Sequence, residues 1–213
     1  LDKPSGLAVH GGSGLSFGLI ETLRSMRPDA RFLELVHRLD RETSGLILIA
    51  KRPASLRALH ALLRREGGVD KRYLALVAGR WPRHLRHIEA PLERREYGGE
   101  RVVQVAAGGR ASLTAFRVRK VLRGCSLVEA HPRTGRTHQI RVHAAHAGYP
   151  LLGDTKYGDS RSAALTRELG LRRLFLHAES LAFRLGECDY RFSAPLGSEL
   201  EAAVEALDQA YFT

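Results

Sequence analysis

Apolar residues at Leu15, Leu19, Ile20, Leu23 and Met26 recur at the spacing of one helix face, and Pro28 ends the pattern. That predicts a helix of about three turns over 15–26. The branched apolar run 45–51 reads as a buried strand. Beyond Pro53, Leu56, Leu59, Leu62 and Leu63 mark a second amphipathic helix, which Gly67-Gly68 closes. Strand-like segments follow at 72–78, 101–105, 112–121 and 126–130, with breaks at Gly98-Gly99 and Gly108-Gly109. Short connections between near neighbours favour antiparallel pairing. A helix over 137–147 is predicted, with Thr137 as its N-cap and Gly148 as its stop. A last one covers 198–210, capped by Ser198 and carrying Glu199 and Glu201 where the helix dipole favours them. Helices and strands interleave without a βαβ rhythm, which gives an α+β domain with a mixed, largely antiparallel central sheet flanked by helices. No repeat or linker interrupts it, so 1–213 is read as one domain.

With 213 residues, 44% of them hydrophobic and 27% charged, the chain can bury a sizeable core. Two cysteines, Cys125 and Cys188, exclude a disulfide framework. The apolar run 46–50 is far short of a bilayer span of roughly 20 residues, and no other run approaches it. No signal-peptide pattern opens the chain, so the expected location is the cytoplasm, with no membrane partner. Leu1 is not a methionine, which suggests a start inside a larger protein.

Charge narrows the field. The formal net charge is +11, and 29 of the 34 basic residues are arginine, whose flat fork suits phosphates and stacking. Segment 51–88 holds ten basic residues against two acidic, and 109–145 eight against one. A basic surface assembled from two blocks is an electrostatic footprint for nucleic acid, the plainer alternative being a solvated basic face.

Three clusters carry candidate chemistry. In His37-Arg38-Leu39-Asp40-Arg41-Glu42-Thr43-Ser44-Gly45, the neighbouring cations favour an ionised Asp40, fit to act as nucleophile or general base. An Asx-type turn with salt-bridged arginines explains the same residues. In the second cluster, 132–143, the Gly135-Arg136-Thr137 opening can present backbone N–H groups to an anion. Thr137 and Arg141, four apart, then share a helix face, unless this is a surface helix with solvated arginines. Third, in Lys71-Arg72-Tyr73 the aromatic can stack on a base while the cations hold phosphates, or simply pack half-buried in a strand.

Other chemistries fit less well. Gly11-Gly12-Ser13-Gly14 reads as a turn and lacks the lysine of a phosphate-binding loop. Among ten histidines no His-Glu-x-x-His occurs, and His138 and His143 stand five apart, about 140° on an ideal helix, so no metal is expected. Neither cysteine lies in a Cys-x-x-Cys, and Ser44 is not in a Gly-x-Ser-x-Gly elbow. Asp40 with Glu42 can imitate a glycosidase pair, but the arginine-rich setting suits a polyanion better than a neutral sugar.

The order His-Arg-Leu-Asp-x-x-Thr-Ser-Gly, then Gly-Arg-Thr-His-Gln-Ile-Arg-Val-His, resembles the RluA/RluC-type family of RNA pseudouridine synthases, most of all its branch acting on large-subunit ribosomal RNA. Asp2-Lys3-Pro4-Ser5-Gly6, with Asp2 where Asn is common, Lys71-Arg72-Tyr73, Gly153-Asp154 to Tyr157-Gly158 and 174–178 are similar to its remaining signatures. The resemblance implies that Asp40 is the essential aspartate, that Tyr73 stacks on the target base and helps remove its carbon-5 proton, and that Arg141 pairs with the aspartate. Arg38 matches a residue that enters the space of the flipped base, and Arg41, Lys71, Arg72, Arg136 and His138 complete an expected RNA-binding set. The implied reaction isomerises uridine to pseudouridine in a monomer without metal or organic cofactor, with ribosomal RNA as partner. Transfer RNA as the substrate, or a non-catalytic RNA-binding or ribosome-assembly module, are the alternatives. The resemblance also implies a preceding S4-type RNA-binding domain, and nothing in the 213 residues resembles one.

Overall fold

A computed structural model describes residues 1–11, 17–98 and 100–209. The elements begin with β1 (Asp2–Lys3), α1 (Leu19–Met26), β2 (Glu34–Leu35), β3 (Ser44–Leu46), β4 (Ile49–Ala50) and α2 (Pro53–Arg64). Next come β5 (Asp70–Ala78), β6 (His87–Glu89), β7 (Leu92–Tyr97), β8 (Glu100–Val105), β9 (Leu113–Leu122) and β10 (Cys125–Pro132). The chain then forms α3 (Gln139–His146), α4 (Ser160–Glu168), β11 (Leu176–Leu185), β12 (Cys188–Ser193) and α5 (Ser198–Gln209). It divides into two compact units, one of Leu1–Lys71 with His177–Pro195, the other of Arg72–Leu176 with the chain from Leu196 on.

In the first unit β1 lies antiparallel to β3, β3 parallel to β11, and β11 antiparallel to β12. Here the pattern expectation needs correcting, because 45–51 is not one strand. Ser44–Leu46 pairs with β1 and β11, whereas Ile49–Ala50 pairs with β2. Between them the Leu48 N–H is taken by the His37 ring, and the Leu48 carbonyl accepts from Val36 N–H. The apolar run therefore serves two sheets and changes partner midway. Leu59 of α2 closes the second pairing by packing on Val36 and Ala50.

The second unit is built on the antiparallel order β5-β10-β9-β6, with β7 and β8 forming a separate hairpin. Strand alternation sends Ala75, Val77, Phe116, Val128 and Ala130 to one face, where Ile140 and Ala144 of α3 cover them. Leu76, Ala78, Leu122 and Cys125 go to the other, under Leu200, Ala203 and Leu207 of α5. Among the described residues the parallel β3–β11 pair stands beside antiparallel ones, and helices pack on the second unit's sheet, the α+β arrangement the pattern implies.

Several boundaries move. The first helix begins at Leu19, the 12–16 stretch lying outside the described residues, as does Ala210 at the end of the last. For α5, Gly197 rather than Ser198 precedes the first turn, and its carbonyl accepts from Leu200 and Glu201 N–H. The largest correction concerns α3, which starts at Gln139 and not at Thr137. His138 stands before it in the left-handed region, at φ 53°, and Thr137 lies outside the helix, so Thr137 and Arg141 do not share a helix face. The Gln139 amide supplies the organisation expected of a cap: its Oε1 accepts from Thr134 Oγ1 at 2.7 Å and Arg136 N at 3.0 Å. Its Nε2 donates to the Leu113 carbonyl and to Thr114 Oγ1, tying the turn to β9.

Candidate active site

Asp40 sits in a turn of the first unit, closed by Thr43 N–H donating to the Asp40 carbonyl at 3.2 Å. That turn is held by the N-terminal segment. Gly6 N–H donates to the Arg41 carbonyl at 2.8 Å, Arg41 Nε returns a bond to the Gly6 carbonyl, and Ser5 Oγ donates to the Glu42 carbonyl. Beneath lies Lys3, fully buried, whose ammonium donates to the carbonyls of Pro4, Leu7 and Arg41 at 2.8, 2.9 and 3.1 Å. A buried ammonium needs such partners, and these three fix the backbone on both sides of it.

Behind the turn, Gly45 has φ +105°, and a Cβ there would lie 2.4 Å from the Ala178 carbonyl oxygen, so glycine is required for β3 to approach β11. Buried His177 joins the same segment: its Nε2 donates to the Ala194 carbonyl, which leaves Nδ1 to accept from Ser44 Oγ at 2.8 Å. His37 is a further acceptor, its Nε2 receiving Leu48 N–H at 3.1 Å. Burial, with a contribution from the Lys71 charge, pulls the His37 ring down to about 4 against the opposing pull of the Arg38 backbone, so the ring is neutral at pH 7. Asp40 is thus mounted on a backbone fixed from three sides.

In the second unit Arg141 is buried on α3 and bound in two places by Asp154, Nε to Oδ2 and Nη2 to Oδ1, each at 2.8 Å. Burial raises the Asp154 carboxyl, but the Arg141 hydrogen bonds and charge, with the Tyr157 and Lys156 amides on Oδ1, outweigh it and hold the group below its ordinary range. The Arg141 guanidinium also lies over the Tyr157 ring, 5.1 Å from its centroid. Gly153 makes the Asp154 turn possible, since with φ +73° a Cβ would come within 1.9 Å of the Arg173 carbonyl. The Tyr157 hydroxyl accepts from Val103 N–H and meets His138 Nδ1 at 2.7 Å. Arg141 is therefore a held cation rather than a solvated surface group.

Tyr73 and Arg72 part company. Tyr73 packs half-buried on the α3 side of the sheet, while Arg72 on the opposite side reaches Glu129 at 3.5 Å. One nucleotide cannot use both in the manner the sequence suggests, because consecutive strand residues face opposite ways. Of the rest, Arg38 and Arg41 are exposed near Asp40, and Lys71 is half-buried, with its amine pulled below the usual lysine range by burial. Arg136 is exposed and donates to the Ala111 carbonyl.

His143, fully buried, is bonded to Thr114 Oγ1, Ser112 Oγ and the Ala90 carbonyl, an interior role. Burial pushes the Cys125 thiol up to about 11, which leaves no nucleophile there at neutral pH. Among the described residues no helix is long and apolar enough to cross a membrane. Sequence reasoning assigned no role to Lys3, His37, Gln139, Asp154 or Tyr157. All five do lie in motifs quoted for the resemblance, the only signal that marked them.

A family model described as RNA pseudouridylate synthase matches residues 1–146. The chain is 54% identical over 211 residues to the ribosomal large subunit pseudouridine synthase C of Pasteurella multocida, which covers 97% of this chain and 64% of that protein. It is 50% identical over 216 residues to the protein of the same name from Escherichia coli, covering 99% and 67%. The chain thus spans about two thirds of the length of these curated relatives. Among solved structures it is similar to human RNA pseudouridylate synthase domain containing 4, with 28% identity, a TM-score of 0.78, and coverage of 97% of this chain and 88% of that one. Matched through both motif blocks and across the fold, the chain belongs to the RNA pseudouridylate synthase family.

Proposed function

We propose that residues 1–213 are the catalytic part of an enzyme that isomerises uridine to pseudouridine in large-subunit ribosomal RNA. The observation that carries this reading is the 54% identity, across 97% of the chain, to a protein named for that activity. The reaction breaks the bond between uracil N1 and ribose C1′, turns the detached base, and joins its C5 to C1′, with a proton leaving C5 and one arriving at N1. It needs a carboxylate at the ribose, which we assign to Asp40, whether it attacks C1′ or removes a ribose proton. The fixed backbone around Asp40 supports that assignment, because a nucleophile gains from being held in place before the substrate arrives.

We assign to Tyr73 the stacking on the target base and a part in removing its C5 proton, and to Arg141 the part of the cation that supports the carboxylate's chemistry. The two-point grip of Asp154 supports a positioned guanidinium in that role. Extruding a base from folded RNA costs a few kcal/mol, which phosphate contacts by Arg38, Arg41, Lys71, Arg136 and His138 offset. The chain works as a cytoplasmic monomer without metal or organic cofactor. Tritium release from C5-labelled uridine in unmodified large-subunit ribosomal RNA, compared between the wild type and Asp40→Asn, tests the proposal.

A further inference from the structure

On the α5 side of the second unit's sheet, Glu129 of β10 is nearly buried, its side chain 7% exposed. Three arginines gather on it: Arg72 of β5 at 3.5 Å, and Arg117 and Arg119 of β9 at 3.2 Å each. Their side chains are 40%, 60% and 40% exposed, so the anion lies under the surface and the cations lie on it. A β-bulge helps create this arrangement. Leu127 pairs with Lys120 and Val128 with Val118, which leaves Arg119 as the extra residue of β9, and such a residue re-aims side chains on the bulged strand.

Around Glu129 three guanidiniums converge on a single carboxylate, each bringing a planar fork of five donors that suits phosphate oxygens. Exposed like charges repel when drawn together, and an anion placed over them relieves that repulsion.

We infer that Arg72, Arg117 and Arg119, gathered by Glu129, form a second polyanion-binding surface that takes backbone phosphates of the RNA, on the sheet face opposite Tyr73. The surface contacts phosphate rather than bases, so it adds affinity and orientation without reading sequence. It removes Arg72 from the set that serves the target nucleotide and gives it a separate task. The inference rests on the RNA-modifying reading for its ligand, but binding and turnover are measured apart, so failure of one is visible without the other.

The test is binding of an unmodified transcript of large-subunit ribosomal RNA across a KCl series, by the wild type, Arg117→Ala with Arg119→Ala, and Arg117→Glu. Circular dichroism checks that each variant is folded. The double variant is expected to bind at least about fivefold more weakly at 0.1 M KCl, with a slope of log affinity against log salt shallower by roughly 1 to 2. Arg117→Glu is expected to bind more weakly than a neutral change at that position, and Arg24→Ala, removing an exposed arginine paired with Glu34 in the first unit, to match the wild type. Affinities and slopes equal to wild type in the folded double variant and in Arg117→Glu would overturn the inference and leave an acidic protein as the occupant of this face.

Discussion

The buried ammonium of Lys3 donates to the main-chain oxygen of Arg41 at 3.1 Å, one residue beyond Asp40. Thirty-eight positions separate the two partners, and through this bond and its two companions the N-terminal segment sets where the Asp40 turn lies. Lys3→Met keeps most of the volume and deletes all three donors. The Arg41 oxygen retains the Gly6 N–H, whereas the Pro4 and Leu7 carbonyls lose the bonds described. At about 1–2 kcal/mol for each of these two partly exposed carbonyls that loses its charged donor, the expected destabilisation is about 2–4 kcal/mol. Thermal melting should show a fall of roughly 4–16 °C, with a parallel loss of turnover. A melting temperature within about 2 °C of wild type would mean that Lys3 does not hold the turn.

Arg141 and Asp154 are both buried and paired through two bonds, so removing one partner strands the other's charge. Asp154→Ala is expected to cost about 3–5 kcal/mol in denaturant unfolding, and Arg141→Met combined with Asp154→Ala to cost less than the sum of the two single changes. The depressed Asp154 carboxyl also fixes a sign. Its contribution is complete above its unfolded value near 3.8 and is lost as pH falls through the lower folded value. Acid unfolding of Asp154→Asn should therefore lose part of the wild type's pH dependence below 3.8.

His37 acts in a higher window. Its folded value, about 4, is below the ordinary 6.5, so the unfolded chain takes up a proton first as pH falls. Stability from the neutral ring is fully present above 6.5 and declines from there down through 4. His37→Gln keeps an acceptor for Leu48 N–H without the titration. Its stability should change less between pH 6.5 and 4.5 than that of the wild type, measured by urea unfolding at each pH. Equal pH dependence in the two proteins would contradict the assignment of that proton to His37.

How much of this was legible in the sequence depended on the range of the interaction. Local periodicity marks α2, α5 and the strands β5, β8, β9 and β10 to within a residue or two, because spacing and turn residues act over a few positions. It fails where a partner distant in the chain decides. The run 45–51 is uniformly apolar, yet pairing with β2 on one side and with β1 and β11 on the other splits it. Thr137 has the composition of an N-cap, but its hydroxyl accepts from Arg94 instead, and the Gln139 amide organises the turn. Asp40, Tyr73 and Arg141 were legible as motif positions, whereas Lys3, His37 and Asp154 show their roles only once the chain is folded. No local pattern tells a buried, three-bonded lysine from a solvated one.

The most direct measurement is tritium release from C5-labelled uridine in large-subunit ribosomal RNA that lacks the modification, under saturating RNA. Release by the wild type is expected, with a rate at least about a thousandfold lower for Asp40→Asn while RNA affinity stays within a few-fold, since a reacting carboxylate acts on the transition state. Release by Asp40→Asn within about tenfold of the wild type would contradict the assignment of Asp40 as the catalytic carboxylate.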